Sequence, residues 1–523
     1  MENSLSRRKF IKNLAIIGGA TSLTSSIIPI SAYAETAFPA TPDKGDLQDM
    51  FLKLNDSGKH LAYFDPAEET VTNPGMGVTG YVVSDHMHFA GDSSRKWKET
   101  EGDVPMKLDR NTFDEFIQLP HIDNLYFRAD WRTFQKEKGK LTLPEEWHWM
   151  MEAVEKHNKP WSFRVMNCSP HSPYENSLPD FLQGKFKMTP YWQKGLPAPY
   201  PKYFPEYNEE YLKWWGELVE LTGNQFDNHP LLEYTDIAGF GFWGEMHHWA
   251  EYSPNGKREN YYPGSQDVLD KCLDSIIKSY LNAFPKTPVA LCLAVRDFKP
   301  GIEAYKQGLV WPRRDSFQTS YSLSELMLSQ GLTKGVGMIW EIIIPGASIQ
   351  TDEQKRTDLM TKALPQRYFD IGSHYVAMGF NPWEAIYAHK NCLSTCQDVH
   401  RQIGYKVRPS IIWKRKNSSN DSEELILGLC NDGCVGIPGQ LTVHCKFSNG
   451  QVVSLDLPLG EPESRNIKPF FLPIPKTISA QKKSDGCELT LSLKMKGKVF
   501  PVKWAVSKKQ VKDPYKIEVS WIS

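Results

Sequence analysis

The sequence predicts an α/β fold, a (β/α)₈ (TIM) barrel with a C-terminal all-β sandwich domain. Three observations predict it. Between Asn73 and about Ile403, short β-rich runs alternate with longer helical patterns, and the pattern repeats eight times. After Pro409 the texture changes to short strands separated by turn residues such as Asn431-Asp432-Gly433 and Ser448-Asn449-Gly450. A length of 523 residues exceeds the roughly 250 that one such barrel absorbs, which leaves room for the second domain.

In chain order, the first segment reads as a leader. Ser6-Arg7-Arg8-Lys9-Phe10 places paired arginines in a short polar region, Leu14–Ser31 is mildly apolar, and Ala32-Tyr33-Ala34 offers the small residues that a signal peptidase reads. Residues 1–34 therefore resemble a twin-arginine signal, and a periplasmic or secreted location is expected. Residues 35–70 read as a linker, 71–408 as the barrel and 409–523 as the sandwich. The expected barrel strands are Gly77–Val83, Ile122–Arg128, Trp161–Met166, Ile237–Trp243, Val289–Val295, Gly308–Phe317, Val336–Ile342 and Ser373–Gly379. The helices between them are Thr112–Gln118, Pro144–His157, Glu206–Leu221, Gln266–Phe284, Ile302–Gln307, Leu323–Gln330 and Asp352–Phe369, with a last one from Pro382 to Ile403. Pro144–His157 is the clearest, with Trp147, Met150, Met151 and Val154 at helical spacing. In the sandwich, strands are expected at Ser410–Lys414, Glu424–Cys430, Gln440–Phe447, Gln451–Leu457, Pro469–Ile474, Glu488–Met495 and Val499–Val506.

Composition narrows the function. The formal net charge is −1, so no basic field argues for a nucleic-acid partner. Removing residues 1–34 takes away Arg7, Arg8, Lys9, Lys12 and one acid, Glu2, which leaves the mature chain at −4. No apolar run beyond the leader is long enough to cross a bilayer. Nine cysteines, an odd number, leave at least one thiol unpaired. Cys392/Cys396 and Cys430/Cys434 lack the neighbouring His or Cys that zinc spacing requires, so no metal is expected. No P-loop or dinucleotide fingerprint is present, so no cofactor is expected either. Aromatic residues make up 12% of the chain, which suits a protein that stacks sugar faces as well as one with a large aromatic core.

The loops that follow barrel strands build the active site of such folds. The loop after the third strand carries Tyr174, Trp192, Tyr200, Tyr203 and Phe204, and the one after the fourth carries Trp249, Tyr252, Tyr261 and Tyr262. Two carboxylates stand out at strand ends. Glu245 closes the run Asp236–Gly244 at the fourth strand, and Glu341 closes Gly337–Trp340 at the seventh. Strands four and seven lie on opposite parts of a barrel wall. Their terminal carboxylates would therefore face each other across the mouth, as glycosidic-bond hydrolysis requires. Trp243 and Trp340 are the apolar neighbours that would raise the pKa of the acid.

The chain resembles clan A glycoside hydrolases, and more closely bacterial barrel-plus-sandwich proteins distantly similar to β-galactosidases. The residues that carry the likeness are Asn73-Pro74-Gly75-Met76-Gly77, Tyr126-Phe127-Arg128-Ala129-Asp130-Trp131, Glu137-Lys138-Gly139-Lys140 and Gly244-Glu245-Met246-His247, within Val71–Arg408. The resemblance implies Glu245 as acid/base, Glu341 as nucleophile, retention of configuration, and Arg128 as a partner orienting the nucleophile. The Asn that precedes the acid/base in that clan is Gly244 here, and Ile342-Ile343-Ile344-Pro345 after Glu341 has no counterpart.

Other residues fall at the mouth by position: Trp131 after strand two, Arg164 and Asn167 after strand three, and His247 and His248 after Glu245. They continue with Arg296 and Asp297 after strand five, Arg313, Arg314 and Asp315 near strand six, and His374 at strand eight. Asp297 and Asp315 are the alternatives to Glu341 as second carboxylate. Arginine forks bind carboxylate and sulfate, so a uronic or sulfated sugar is one expected substrate; the same arginines would equally balance the site's own acids. The expectation is an exported glycoside hydrolase with a carbohydrate substrate. A non-catalytic glycan-binding barrel and a polysaccharide lyase using Tyr, His and Arg are the alternatives. Replacing Arg7-Arg8 by Lys-Lys should hold the precursor in the cytoplasm, and N-terminal sequencing of the exported protein should begin at Glu35; efficient export of the double-Lys chain would refute the leader.

Overall fold

The computed structural model describes residues 58–83, 88–93, 105–107, 110–119, 122–168, 174–191, 202–246, 249–250, 259–260, 265–292, 298–314, 335–342, 372–378, 397–416, 422–457, 467–476 and 486–521. Eight parallel strands among them close a barrel: Gly77–Val83, Asn124–Asp130, Trp161–Met166, Leu232–Asp236, Val289–Cys292, Trp311–Arg314, Ile339–Ile342 and Tyr375–Met378. The eighth pairs back onto the first, with Tyr375 opposite Gly77 and Met378 opposite Gly80. An antiparallel arm, His88–Ser93 and Pro105–Lys107, extends the first strand beyond the barrel wall.

Period-two alternation decides which side chains face which way. Val78, Val82, Phe127, Phe163, Val165, Leu291, Trp340 and Val376 face outward into the core shared with the helices. Those helices are Arg110–Ile117, Glu145–Lys156, Glu209–Phe226, Gln266–Ala283 and Lys299–Lys306. The expected helices at Leu323–Gln330 and Asp352–Phe369, and most of that at Pro382–Ile403, lie outside the described residues. The inward face is unusual for such a barrel: Tyr81, Tyr126, Tyr234, Trp311 and Tyr375 fill it with rings. Tyr81 and Tyr126 lie 4.7 Å apart between ring centroids, and Tyr234 and Tyr375 5.3 Å apart.

The fourth strand corrects the sequence reading. The β-propensity of Ile237–Trp243 placed it there, whereas the strand is Leu232–Asp236. Gly239, Gly241, Trp243 and Gly244 have φ of 97°, 73°, 53° and 71°, a left-handed run that no strand accommodates.

The sandwich has two antiparallel sheets. One orders Gly58–Tyr63, Val407–Lys416, Glu423–Asn431 and Lys468–Pro473; the other orders Val452–Leu457, Gln440–Phe447, Gly486–Met495 and Lys498–Val502, with Lys516–Ser520 on Gly486–Met495. Gly58–Tyr63, which reads as linker in the sequence, supplies the edge of the first sheet. It is short and half polar, so period-two patterning gives little sign of it.

The sandwich seals the strand-entry end of the barrel. Its core and the barrel's inward rings form one apolar cluster. At the Met495–Lys498 turn, Lys498 Nζ donates to the carbonyls of His229 and Leu232 at 3.0 and 2.9 Å and to Thr287 Oγ1 at 2.9 Å. Lys496 Nζ donates to the carbonyls of Phe284 and Thr287. These lysines satisfy carbonyls at the starts of strands four and five that would otherwise be buried without partners. Burial pushes the Lys498 ammonium down to about 8.

Glu233 sits at the same end, accepting from the Gly75 amide at 2.9 Å and the Tyr375 hydroxyl at 2.8 Å. Burial first, with Asp123 adding to it, pushes its carboxyl up to about 7. The folded state then binds a proton that the unfolded state has released between the ordinary value of 4.5 and about 7. Stability from this group is thus complete below pH ~4.5 and is lost as pH rises toward ~7. Glu233→Gln, which copies the protonated form, should raise Tm by a few degrees at pH 8 and leave it unchanged at pH 4, measured by differential scanning calorimetry.

Candidate active site

The exit end of the barrel carries a closed layer of charge. Arg164 on strand three, Asp236 at the end of strand four, Arg313 on strand six and Glu341 on strand seven all face inward, and each is at most 2% exposed. Glu245 joins them from the loop after strand four, also buried. Arg164 Nη2 donates to Glu245 Oε1 at 2.8 Å and to the Tyr81 hydroxyl at 3.3 Å. Tyr81 donates in turn to Glu341 Oε2 at 3.3 Å. A chain of contacts thus runs Glu245, Arg164, Tyr81, Glu341 across the mouth.

Arg313 is shared between two acids. Its Nη2 donates to Glu341 Oε2 and, at 3.1 Å, to the Tyr81 hydroxyl, while Nη1 stands 3.0 Å from Asp236 Oδ2. The Tyr126 hydroxyl donates to the same Asp236 oxygen, and Arg164 Nε lies 4.0 Å from it. Burial by itself would push both guanidiniums down; the surrounding negative and phenolic groups outweigh it and hold them above their ordinary value. Burial likewise raises Tyr81 and Tyr126, so both phenols stay protonated and act as donors. Several buried polar atoms of the layer have no hydrogen-bond partner: Asp236 Oδ1, Arg164 Nε and Nη1, and Arg313 Nε. They are the donors and the acceptor available to a bound water or hydroxyl.

Glu245 is held by an unusual loop. It lies nine residues beyond the last residue of strand four instead of directly at the strand's end. The loop is wound tightly over aromatic side chains. The Tyr211 hydroxyl donates to the Gly239 carbonyl at 2.6 Å, the Gly241 amide donates to the Tyr207 hydroxyl at 2.7 Å, and the Trp243 amide donates to the Cys168 carbonyl at 3.1 Å. Trp243 and Met246, on either side of Glu245, have φ of 53° and 61°, a region that costs a non-glycine residue energy. Gly244 is required by its own φ of 71° and by Ala238, whose Cβ would stand 2.5 Å from any Cβ added there. The Asn that the clan carries before its acid/base would bring its Cβ against Ala238 here.

The remaining sequence-predicted residues divide clearly. Arg128 faces inward, its guanidinium 5.8 Å from the Tyr81 ring centroid. Asn167 is fully buried after strand three. Trp243 is half-buried and edges onto Phe242. Trp131 is corrected to a core residue: its ring packs at right angles to Trp215 and its Nε1 donates to Gln135 at 2.8 Å. Trp340 faces outward into the helix-packed core and donates to the Gly372 carbonyl at 2.7 Å, so it has no face toward the mouth. Arg314, in register with Trp340, shares that outward face. His374 precedes strand eight at the opposite end, accepting from the Met338 amide at Nδ1 and meeting the Gly436 carbonyl at Nε2. Burial pushes its pKa down to about 4. His247, His248, Arg296, Asp297 and Asp315 lie outside the described residues.

Asp236, Tyr81 and Tyr126 belong to the site and were not singled out from the sequence. With strand four placed at Ile237–Trp243, Asp236 falls at a strand start instead of a strand end.

No family model matches the chain, and no curated protein matches it. Among solved structures it is similar in fold to the catalytic domain of a β-amylase from Paenibacillus polymyxa, at 11% identity over 62% of this chain and 97% of that one, with a TM-score of 0.41. It is also similar to GH5_18 from Streptomyces cattleya in complex with GlcNAc (10% identity, 63% and 80% covered, TM-score 0.40). A third is an endo-β-1,4-mannanase from Thermotoga petrophila (8% identity, 85% and 97% covered, TM-score 0.35). At these scores the likeness adds nothing to what the closed barrel already establishes.

Among the described residues no group of His, Cys, Asp and Glu is placed to hold a metal. Two carboxylates, each accepting from a guanidinium, and a third, Asp236, set against both arginines, thus lie together at the barrel mouth. Gly244→Ala should cost about 2 kcal/mol or more in urea unfolding, through its φ and the Ala238 contact, because a left-handed non-glycine residue alone costs about 1–3 kcal/mol.

Proposed function

We propose that the chain is an exported glycoside hydrolase that cleaves glycosidic bonds with retention of configuration. The observation that carries this reading is the pairing of Glu341, on strand seven, with Glu245, from the loop after strand four, linked through Arg164 and Tyr81 at the strand-exit mouth. Glu341 is the nucleophile. Arg313 and the Tyr81 hydroxyl donate to it and hold it in place, and its attack as the carboxylate on the anomeric carbon forms a glycosyl ester as the leaving oxygen departs. Glu245 is the acid that protonates that oxygen and then the base that takes a proton from water as the ester is hydrolysed. Trp243, half-buried beside it, offers a ring for a sugar face.

The guanidiniums support a neutral sugar over a uronic or sulfated one. Arg164 and Arg313 serve the site's own acids, and Arg314 faces outward. A lyase reading has less support, because Tyr81 is a raised, protonated phenol facing Glu341 and is a poor base. The contact of Glu245 with Arg164 is the observation that favours a glycan-binding barrel without turnover, since a guanidinium 2.8 Å away opposes protonation of an acid.

Reducing-end release from a panel of neutral and charged oligosaccharides separates these readings. Glu245→Gln and Glu341→Gln should each lower kcat by about 10³-fold or more while circular dichroism and glycan binding stay unchanged. Azide should partly restore turnover to a Glu341→Ala enzyme by standing in for the lost nucleophile. Binding to a glycan without release by the wild type would refute the hydrolase.

A further inference from the structure

Asp236 stands against both guanidiniums of the mouth. Its Oδ2 lies 3.0 Å from Arg313 Nη1 and 4.0 Å from Arg164 Nε, and the Tyr126 hydroxyl donates to the same oxygen. Each arginine has a second acid: Glu341 on Arg313 Nη2 and Glu245 on Arg164 Nη2. All five side chains are buried, where charges act on each other with little screening. Around Glu341 stand Tyr81 from strand one, Arg128 over the Tyr81 ring, Tyr126 from strand two, Arg164 from strand three, Asp236 from strand four and Arg313 from strand six.

We propose that Asp236 is a positioning residue that sets the working pH of Glu341 and Glu245 by drawing off part of the charge of Arg313 and Arg164. The proposal rests on the assignment of those two glutamates under Proposed function. A guanidinium engaged by one carboxylate stabilises a second one less. The Asp236 anion also repels both glutamates directly. Both effects have the same sign: Asp236 raises the pH at which each glutamate ionises. For the acid role this matters, since Glu245 must carry a proton beside Arg164. Asp236 offsets some of that guanidinium's pull.

The test reads stability first and activity second. Tm is compared between wild type and Glu341→Gln from pH 3 to 8, and the pH below which they coincide marks protonation of Glu341 in the folded chain. In an Asp236→Asn background that pH should fall by about one unit or more, a tenfold change in ionisation. The same comparison with Glu245→Gln should fall by less, because Arg164 stands farther from Asp236 than Arg313 does. With a chromogenic glycoside, both limbs of the kcat/KM profile should move to lower pH. Asp236→Glu, which keeps the charge, should restore both.

Tyr126→Phe is the second variant and carries the opposite sign. Without the phenol, Asp236 draws harder on Arg313, and the Glu341 midpoint should rise. Midpoints that stay fixed or move up in Asp236→Asn, an equal shift in Asp236→Glu, or an unmoved or lower midpoint in Tyr126→Phe would each overturn the proposal. The stability comparison needs no substrate. A shift in midpoint with no turnover in any protein would refute the hydrolase and leave Asp236 its role, whereas an active enzyme without the shift would refute the role of Asp236 alone.

Discussion

A guanidinium withdrawn from water must meet anions, and inside this barrel that requirement organises the exit end. Arg164 and Arg313 are wholly buried. Removing one from solvent without a partner would cost several kcal/mol, so their presence fixes the identities around them. Asp236, Glu245 and Glu341 supply the charge, and Tyr81 and Tyr126 supply hydroxyls that join one ion pair to the next. A layer of this kind is weak evidence for stability, because the desolvation cost consumes much of the Coulomb gain. What it does fix is position. Each acid has a partner on another strand, so no carboxylate of the layer can move without breaking a contact elsewhere.

The rings beneath the layer make it possible. Barrels of this type usually fill their interior with branched aliphatic side chains, whereas Tyr81, Tyr126, Tyr234, Trp311 and Tyr375 stack through this one. A tyrosine is apolar along its body and polar at its tip. Tyr81 and Tyr126 therefore bury their rings in the barrel core and present hydroxyls to the charged layer above. Below, the same ring cluster continues into the sandwich, whose lysines at 496 and 498 close the strand-entry end. The sandwich thus supports the barrel from the end opposite the charged layer, and among the described residues the layer's side chains all come from the barrel segment.

How much of this was legible in the sequence depends on whether a side chain's neighbours are local. Seven of the eight barrel strands show as β-rich runs close to their actual positions, because their outward residues alternate and their boundaries are marked by turn chemistry. Glu341 stands out in the sequence because it ends such a run, and it faces into the charged layer. The fourth strand differs from the sequence expectation because Phe240, Phe242 and Trp243 carry strand propensity while Gly239, Gly241, Gly244 and Trp243 itself adopt left-handed backbone; composition records the first and says nothing of the second. Trp131, Trp340 and His374 were assigned to the mouth by strand-end position alone, and alternation or the end of the barrel took them elsewhere. Tyr81 and Tyr126 were missed for the converse reason. A tyrosine inside a strand looks like packing until its hydroxyl partner is known, and that partner lies up to 260 positions away in the chain.

The two glutamates depend on different kinds of support. Glu341 sits on a strand whose neighbours on both sides are hydrogen-bonded to it, so its backbone is fixed by the barrel itself. Glu245 sits on a loop with left-handed residues on either side of it, anchored by Tyr207, Tyr211 and the Cys168 carbonyl. Strained backbone of this sort persists only where its surroundings over-determine it. Under the roles proposed for them, a nucleophile on a rigid strand stays aligned with one carbon, and an acid/base gives its proton to the leaving oxygen and then takes one from the water that enters at the same place, so both gain from being held. Both supports hold a carboxylate in place, one through the hydrogen-bonded strands on either side of Glu341 and the other through the aromatic and backbone anchors around Glu245.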